Sequence, residues 1–253
     1  MRYIIFFLIA SIPLFAQQPI QVTYETIRTF PESFFQKVPE EMRKGMKEQF
    51  AKPLYNQLTN YGIVSIYKSL NSKEAHIPGI ASSDLNKIDL GIIVPVFDEW
   101  KYKDYTNQKI TKRVVVQDKS YYIEEKLIAS NLIFAKGDTY IDKYKCKYAY
   151  ELSAKNVADT IKYWYAPDIA IDDCPSNQIG FPGLVLKKQS LNSTTYAIKI
   201  AFLKEDSKSE ILDMSIPIIT LDDYKKMKSS EGPPKSVQSR IEGIKQNSGV
   251  KKE

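Results

Sequence analysis

Alternation of apolar and polar residues with a period of two restricts the fold of this chain more than any other feature. The clearest case is the segment 140–150, YIDKYKCKYAY, whose even positions hold four tyrosines and Cys146. Its odd positions include Lys143, Lys145 and Lys147. This alternation is typical of a strand with one packed face and one solvent face. Similar patterns recur at 20–30, 61–70, 109–117, 120–128, 160–169, 184–190, 194–203 and 210–219. The chain is therefore predicted to be mainly β (α+β), with a single curved antiparallel sheet.

Clusters of turn-forming residues separate several of these strands. They lie at 136–138, 191–193 and 205–207. The strands 140–152 and 160–169 are predicted to pair as a hairpin that turns near Asn156. That register places Cys146 opposite Ala166.

One helix is predicted at 39–51, PEEMRKGMKEQFA. Pro39 suits the first position of a helix, and the two glutamates after it complement the helix dipole. Met42, Met46 and Phe50 recur every four residues and form one apolar stripe. We expect this helix to cover one side of the sheet. The alternative is a lid or a partner-binding helix, since methionine side chains adapt to varied surfaces.

The amino terminus has the composition of a signal peptide. Arg2 precedes thirteen apolar residues at 3–15, and Ala16 stands before two glutamines. A membrane span needs about 20 apolar residues, so this run is too short for an anchor. Residues 1–16 are therefore predicted to direct export to the periplasm or to the outer membrane, with extracellular release less favoured. No second apolar run has spanning length, so we expect no transmembrane segment in the mature chain.

The positive charge of the chain is concentrated at its carboxyl end. The formal net charge is +6, and residues 225–253 carry eight Lys or Arg against three Glu. Residues 17–224 are balanced, and they are predicted to form a single antiparallel β domain. The segment 225–253 has few apolar residues, so we expect a disordered basic tail. Nucleic acid is not an expected partner of an exported protein.

Few residues are suited to catalysis or to metal binding. A Ser-His-Asp catalytic arrangement needs a histidine, and His76 is the only one in the chain. Neither cysteine has a second one close by in sequence, and no phosphate-binding loop is present. We therefore predict no metal site, no cofactor and no catalytic residue. The acids of an alternative, carboxylate-based enzyme are Asp168, Asp172 and Asp173.

The most unusual segment is 163–188, where an aromatic strand runs into two prolines and then a glycine-rich corner. Glycine permits a positive φ or a close backbone approach, and proline fixes φ. The corner reads Gly180-Phe181-Pro182-Gly183-Leu184-Val185. It resembles the hexapeptide of the GLPGLI family, exported proteins of Bacteroidota without an assigned function.

Two further segments resemble the pattern of this family in order and spacing. The family's Tyr-x-Cys-x-x-Ala strand is matched at 144–149, and its Trp-Tyr-x-x-Asp-Ile segment is matched by Trp164, Tyr165, Asp168 and Ile169. Cys174-Pro175 stands where Gly-Pro is usual. The resemblance covers most of residues 17–228. It implies motif positions but no reaction, cofactor or catalytic residue.

The motif has a structural and a functional interpretation. In the first, it is a corner that returns the strand to the sheet. In the second, it contacts a ligand or a partner, with an apolar groove lined by Phe181, Leu184, Trp164 and Tyr165. A curved sheet with a covering helix is also similar, in architecture alone, to half-barrel lipoprotein carriers of the LolA type.

Two functions follow as hypotheses. The favoured one is a non-enzymatic envelope protein that binds an apolar small molecule or an envelope partner protein, because Tyr, Phe and Ile are abundant and no catalytic arrangement is found. The alternative is a carboxylate-based hydrolase acting on envelope polymer.

The two cysteines leave two alternatives open. Export to an oxidising compartment favours a disulfide between Cys146 and Cys174. The predicted register opposes it, because Cys174 follows Ala166 by eight residues, or about 26 Å of extended chain. A bond would require the chain to fold back after Ala166. Otherwise Cys146 is a free, buried, small apolar residue.

Overall fold

The structure is a computed structural model of the chain. It describes residues 18–36, 40–70, 75–77, 92–94, 99–127, 129, 131–152, 160–204 and 206–230. The predicted signal peptide and most of the predicted basic tail lie outside these residues. Within them, no helix is long and apolar enough to cross a membrane.

The fold is one large sheet of twelve strands that is curved but not closed. Its strands are β1 (Ile20–Arg28), β2 (Leu54–Asn60), β3 (Val64–Ser69), β6 (Trp100–Asp104), β7 (Lys109–Val116), β8 (Lys119–Lys126), β9 (Ile133–Ile141), β10 (Tyr144–Glu151), β11 (Ile161–Ala166), β12 (Leu184–Ser190), β13 (Ser193–Phe202) and β14 (Ile218–Ile219). Their order in the sheet is β14-β8-β7-β6-β3-β2-β1-β13-β12-β11-β10-β9. Among the described residues, neighbouring strands of this sheet are antiparallel except β14 with β8. The short strands β4 (Ala75–Ile77) and β5 (Ile92–Val94) form a separate pair. The predicted fold class is confirmed.

The hairpin register predicted from the sequence is confirmed. β10 pairs with β11 so that Lys147 lies opposite Tyr165 and Tyr148 opposite Trp164. This is the register in which Cys146, the residue before Lys147, is predicted to lie opposite Ala166. The residues that would form the predicted turn near Asn156 lie outside the described residues.

The sequence pattern predicts the turn between β9 and β10 at the wrong residues. The cluster 136–138 predicts a turn, but β9 runs through it and ends at Ile141. The chain reverses at residues 142–143, where Asp142 adopts a φ of 52°. Gly137, with a φ of 125°, instead accompanies a register shift between the two strands. A glycine inside a strand pattern therefore marked a bulge and not the hairpin end.

The covering helix is confirmed as α2 (Glu40–Ala51), preceded by a short helix α1 (Glu32–Gln36). Phe35 and Met46 are buried together, with Phe30 and Phe50 against them. Arg28, the last residue of β1, stacks over Phe50 with 5.0 Å from its Cζ to the ring centroid. A third helix, α3 (Leu221–Ser229), crosses the boundary predicted at residue 224.

Asp173 shows how strongly the sheet bends. Its backbone oxygen accepts from Val185 N of β12 at 3.0 Å, and its carboxylate accepts from Lys103 Nζ of β6 at 2.7 Å. Four strands separate β6 from β12 in the sheet, which corresponds to about 24 Å if the sheet were flat. One residue reaches both strands, so the sheet curls around it. The face that carries Lys103 is called the inner face below.

Two buried clusters meet at β12. In the larger one, residues of β1, β2, β3, β10, β11 and β12 pack against Ile169 and Ile171. The second cluster joins residues of β10, β11 and β12 to Cys174 and Phe181. Residues 167–183, called the corner loop below, supply side chains to both clusters. The loop is thus part of the core.

Candidate functional site

The corner loop is shaped by two glycines that the structure requires. A Cβ on Gly183 would lie 2.3 Å from the backbone oxygen of Ala166, so only glycine fits there. Gly180 has a φ of 103°, a conformation that other residues rarely adopt. The carboxylate of Asp172 accepts hydrogen bonds from the backbone N–H groups of Gly180 and Phe181, each at 2.8 Å. The hexapeptide therefore has a structural role as a corner.

The predicted apolar groove is not formed. Phe181 and Tyr165 are 3% and 4% exposed and pack in one cluster, whereas Leu184 is fully buried in the other, with Trp164 against it. Trp164 and Tyr165 are neighbours on β11, and neighbours on a strand point to opposite faces, so these two rings do not line one groove together. Pro182 is exposed between the buried residues of the corner. These motif residues fill the protein's own core.

The three acids proposed for a hydrolase have separate surroundings. Asp168 is exposed in the turn after β11. Asp172 is engaged by the backbone of the corner loop. Asp173 is fully buried in an ion pair. They therefore do not form a paired acid and base.

Lys103 and Asp173 form a buried ion pair on the inner face. Their side chains are 1% and 0% exposed, and Nζ lies 2.7 Å from Oδ1. Asn60 Nδ2 donates to Oδ2 at 3.0 Å, and the backbone N–H of Cys174 donates to Oδ1 at 2.8 Å. Burial by itself lowers the pKa of Lys103, but the attraction of Asp173 outweighs it and raises that pKa. Both charges are satisfied, so the pair attaches the corner loop to β6 and β2.

Tyrosine hydroxyls surround this ion pair. Tyr24 donates to the backbone oxygen of Val185 at 2.6 Å, and burial together with the charge of Asp173 raises its pKa well above the usual value. Tyr105 lies 3.3 Å from the hydroxyl of Ser65, and the same two causes raise its pKa. These phenols stay neutral at physiological pH. They serve as hydrogen-bonding groups of the core.

A polar cavity of about 300 Å³ opens on the inner face beside this network. Strand register explains how the chain builds it, because Thr26 pairs with Thr195 and Lys188 pairs with Thr195 on neighbouring strands. The corner loop contributes Pro175 and Ser176 to the wall. Six of the twelve lining residues are Ser, Thr or Asn: Thr26, Asn56, Ser69, Ser176, Ser193 and Thr195.

Three charged residues line the cavity, and only two of them neutralise each other. Lys101 forms an ion pair with Glu99. Lys188 is partly buried, and among the described residues no carboxylate lies within ion-pair distance of its Nζ. Burial lowers the pKa of Lys188, and the nearby charge of Lys101 adds to this effect against the attraction of Cys174, Glu99 and Glu151. The cavity therefore carries an excess positive charge.

Arg28 extends this positive region along β1. It lies two residues beyond Thr26, which places both side chains on one face of the strand. Its Nε is buried and has no hydrogen-bond partner among the described residues. Burial lowers its pKa. Phe30 and Phe50 hold the guanidinium by cation–π contacts.

Both cysteines are free and buried. Cys146 belongs to the larger cluster, and burial raises the pKa of its thiol to about 11. Cys174 belongs to the other cluster, with Sγ 3.0 Å from both Ser176 Oγ and the backbone oxygen of Gln178. The structure thus has the free-thiol alternative and not the disulfide. Over the described residues, no three His, Cys, Asp or Glu side chains are grouped to hold a metal ion.

Sequence reasoning missed the charged residues of the inner face. In the segment 99–104, EWKYKD, the aromatic positions Trp100 and Tyr102 favour the packed side of a strand. The structure places Lys101 and Lys103 on the inner face instead, while Trp100 stacks on Tyr122 with ring centroids 5.6 Å apart. Alternation correctly indicates two faces. It does not indicate which face is buried when both can pack.

Comparison with known proteins adds a fold and no function. Neither protein-family models nor curated protein sequences match this chain. Two crystal forms of PNGF-II are similar in structure, with TM-scores of 0.54 and 0.53 and 16% sequence identity. The matched region covers 84% of this chain and 33% of the PNGF-II chain. This chain thus spans about a third of the length of PNGF-II, and the likeness concerns the fold alone.

Proposed function

We propose that this protein is a non-enzymatic binding domain of the cell envelope, and that it takes a small ligand into the polar cavity of the inner face. One observation carries the proposal: Lys188 is held in the cavity wall without a neutralising carboxylate among the described residues. A buried charge without a partner is costly to folding. A bound ligand that supplies the opposite charge would remove that cost.

The polar lining favours this ligand over the apolar one expected from composition. The abundant aromatic residues that suggested an apolar groove are packed inside the protein, as Tyr163 and Phe181 are at 5.0 Å between ring centroids. The cavity presents hydroxyl, amide and ammonium groups beside apolar ones such as those of Leu54 and Pro175. Its volume lies at the lower end of the range of about 300–1,000 Å³ that small-molecule sites occupy.

Export and membership of the GLPGLI family belong to the same proposal. The signal-like residues 1–16 support a place in the envelope. The corner at 180–185 supports the family resemblance, because the two glycines of the hexapeptide are the positions that the backbone geometry requires.

Ligand-detected NMR on the purified protein tests the proposal. The mixtures contain neutral sugars, acidic sugars, amino acids and short peptides. We expect at least one class to show saturation transfer, and we expect Ser193→Phe, which fills the cavity, to abolish it. Thr194→Phe is the matched control, because Thr194 is adjacent on β13 but points to the opposite face. Equal signals from both variants, or no signal from any class, would contradict the proposal.

A further inference from the structure

Two lysines on the inner face provide an internal comparison of how this fold treats a buried positive charge. Lys103 has a carboxylate at 2.7 Å and a backbone oxygen, that of Cys174, at 3.2 Å. Lys188 has neither among the described residues. Both residues belong to the same continuous sheet. The lack of an acceptor and of a counter-charge at Lys188 is therefore local to the cavity.

The other charges of the cavity do not provide a counter-charge for Lys188. Glu99 forms an ion pair with Lys101, two residues later in the chain. The ammonium of Lys101 also lies 5.4 Å from the ring centroid of Tyr67, which holds it against the wall. Arg28, on the strand that carries Thr26, has a buried Nε without a hydrogen-bond partner among the described residues, but it is not part of the cavity lining. Within the lining, Lys188 thus offers its donors to one negative group.

The rest of the lining favours a hydroxylated ligand body. The hydroxyls of Thr26 and Thr195 lie 2.8 Å apart and share one hydrogen bond, so each retains capacity for another. Asn56 and Ser176 add further polar groups to the wall. A flat aromatic or an aliphatic ligand would leave these groups without partners, which is costly.

We propose that the cavity binds a small hydroxylated molecule with a single anionic group, the chemistry of hexuronic acids and sugar phosphates, and that Lys188 binds the anionic group. This inference rests on the proposed function, since it names the ligand class of the same cavity. The anion accepts hydrogen bonds from Nζ of Lys188, and the hydroxyls of the ligand bind along Thr26 and Thr195. Charge-assisted hydrogen bonds of this kind are stronger than neutral ones.

Isothermal titration calorimetry with four probes tests the inference: glucuronate, glucose 6-phosphate, glucose and acetate. Glucuronate and glucose differ only at one carbon, and acetate has the anion without the hydroxyls. We expect one of the two anionic sugars to bind at least about tenfold more tightly than glucose and acetate. The preferred sugar distinguishes a carboxylate from a phosphate ligand.

Two variants separate the role of Lys188 from general charge. Lys188→Met is expected to weaken binding of the anionic sugar by about tenfold or more. Lys187→Met removes the same charge one position earlier, where the side chain lies over Trp164 at 4.5 Å and outside the cavity lining, and it is expected to retain binding. Equal losses in the two variants would overturn the inference.

The pH dependence of the unmodified protein supplies a measurement that needs no variant. Binding of the anion requires protonated Lys188, whose surroundings are Lys101 of β6, Glu99 just before that strand, Glu151 of β10 and Cys174 of the corner loop. Affinity should therefore fall as pH rises, and it should begin to fall below the ordinary lysine pKa of about 10.4. An affinity independent of pH up to that value would also overturn the inference.

The outcomes distinguish the inference from the proposed function. If glucose binds as tightly as glucuronate and glucose 6-phosphate, the cavity is a binding site but the anionic class is wrong. If none of the four probes binds, the inference fails, and the ligand-detected screen with Ser193→Phe decides whether the proposed function fails as well.

Discussion

The two ends of the inner face differ in how they accommodate a lysine. At the closed end, Lys103 is sealed under the corner loop with Asp173 as its partner. At the open end, Lys188 faces a cavity of about 300 Å³ without such a partner among the described residues. The corner loop forms both ends, because Asp173 binds Lys103 while Pro175 and Ser176 line the cavity. The closed end is satisfied within the fold, whereas the open end has the excess charge on which the proposed binding rests.

The largest effect is expected at the closed end, from Asp173→Asn. This change leaves Lys103 buried without a counter-charge, and breaking a buried ion pair costs about 3–5 kcal/mol. Denaturant unfolding followed by circular dichroism measures the loss of stability. Asp168→Asn is the control, because an exposed site should change the free energy of unfolding by less than about 0.5 kcal/mol. Similar free energies of unfolding for the two variants would mean that the ion pair at the closed end does not stabilise the corner loop.

The next effect concerns the glycines that shape the loop. Gly183→Ala is expected to cost about 3 kcal/mol, because the new Cβ would overlap the backbone of Ala166 and Pro167. Gly180→Ala should cost about 1 kcal/mol, since its neighbours leave space and only the positive φ is unfavourable. Thermal unfolding of both variants checks the order. A larger loss at Gly180 would contradict the steric explanation.

At the open end we expect the opposite change in stability. Lys188→Met should raise the free energy of unfolding by about 1 kcal/mol at neutral pH without ligand. Because burial lowers the pKa of Lys188, the unfolded chain binds this proton more tightly than the folded protein does. The destabilisation of the folded protein by protonated Lys188 is therefore complete at low pH. It disappears as pH rises from the lowered pKa of Lys188 to about 10.4, the ordinary lysine value. Urea unfolding of both proteins at pH 7 and pH 10.5 measures the difference. A loss of stability at pH 7 would show that Lys188 is not strained by burial.

Lys103 should show the opposite pH dependence. Its pKa is raised, so its favourable contribution is complete below about 10.4 and is lost only as pH rises through the raised value. The loss caused by Lys103→Met combined with Asp173→Asn, which leaves no carboxyl to titrate at this site, should accordingly be constant from pH 6 to pH 9. A penalty that varies across this range, measured by the same unfolding experiment, would contradict the assignment.

The smallest effect is expected from reducing agents, which should leave the unfolding midpoint unchanged because both cysteines are free. A disulfide between Cys146 and Cys174 would contribute about 3.5 kcal/mol by the chain-entropy model, so its presence would be easy to detect. The denatured protein should show two reactive thiols. In the native state Cys146 should react slowly, since burial raises its pKa to about 11.

Much of the fold could be predicted from local sequence patterns. Alternation identified most strands of the sheet, and it also gave the register that pairs Tyr148 with Trp164. The helix at 40–51 followed from its four-residue apolar repeat. Strand β2, LYNQLTN, was missed because Asn56, Thr59 and Asn60 are polar although they are buried. Their burial depends on partners such as Asp173, which lies 113 residues after Asn60.

The sequence by itself determined the mainly β class, the covering helix and the unusual corner at 180–185, because each depends on residues close together in the chain. Only the tertiary structure decided which face of β6 is the inner one, that Asp173 meets Lys103, and that Lys188 stands in a polar cavity. These contacts join strands far apart in sequence, and they depend on the curl of the whole sheet. Local periodicity carries no information about that curl.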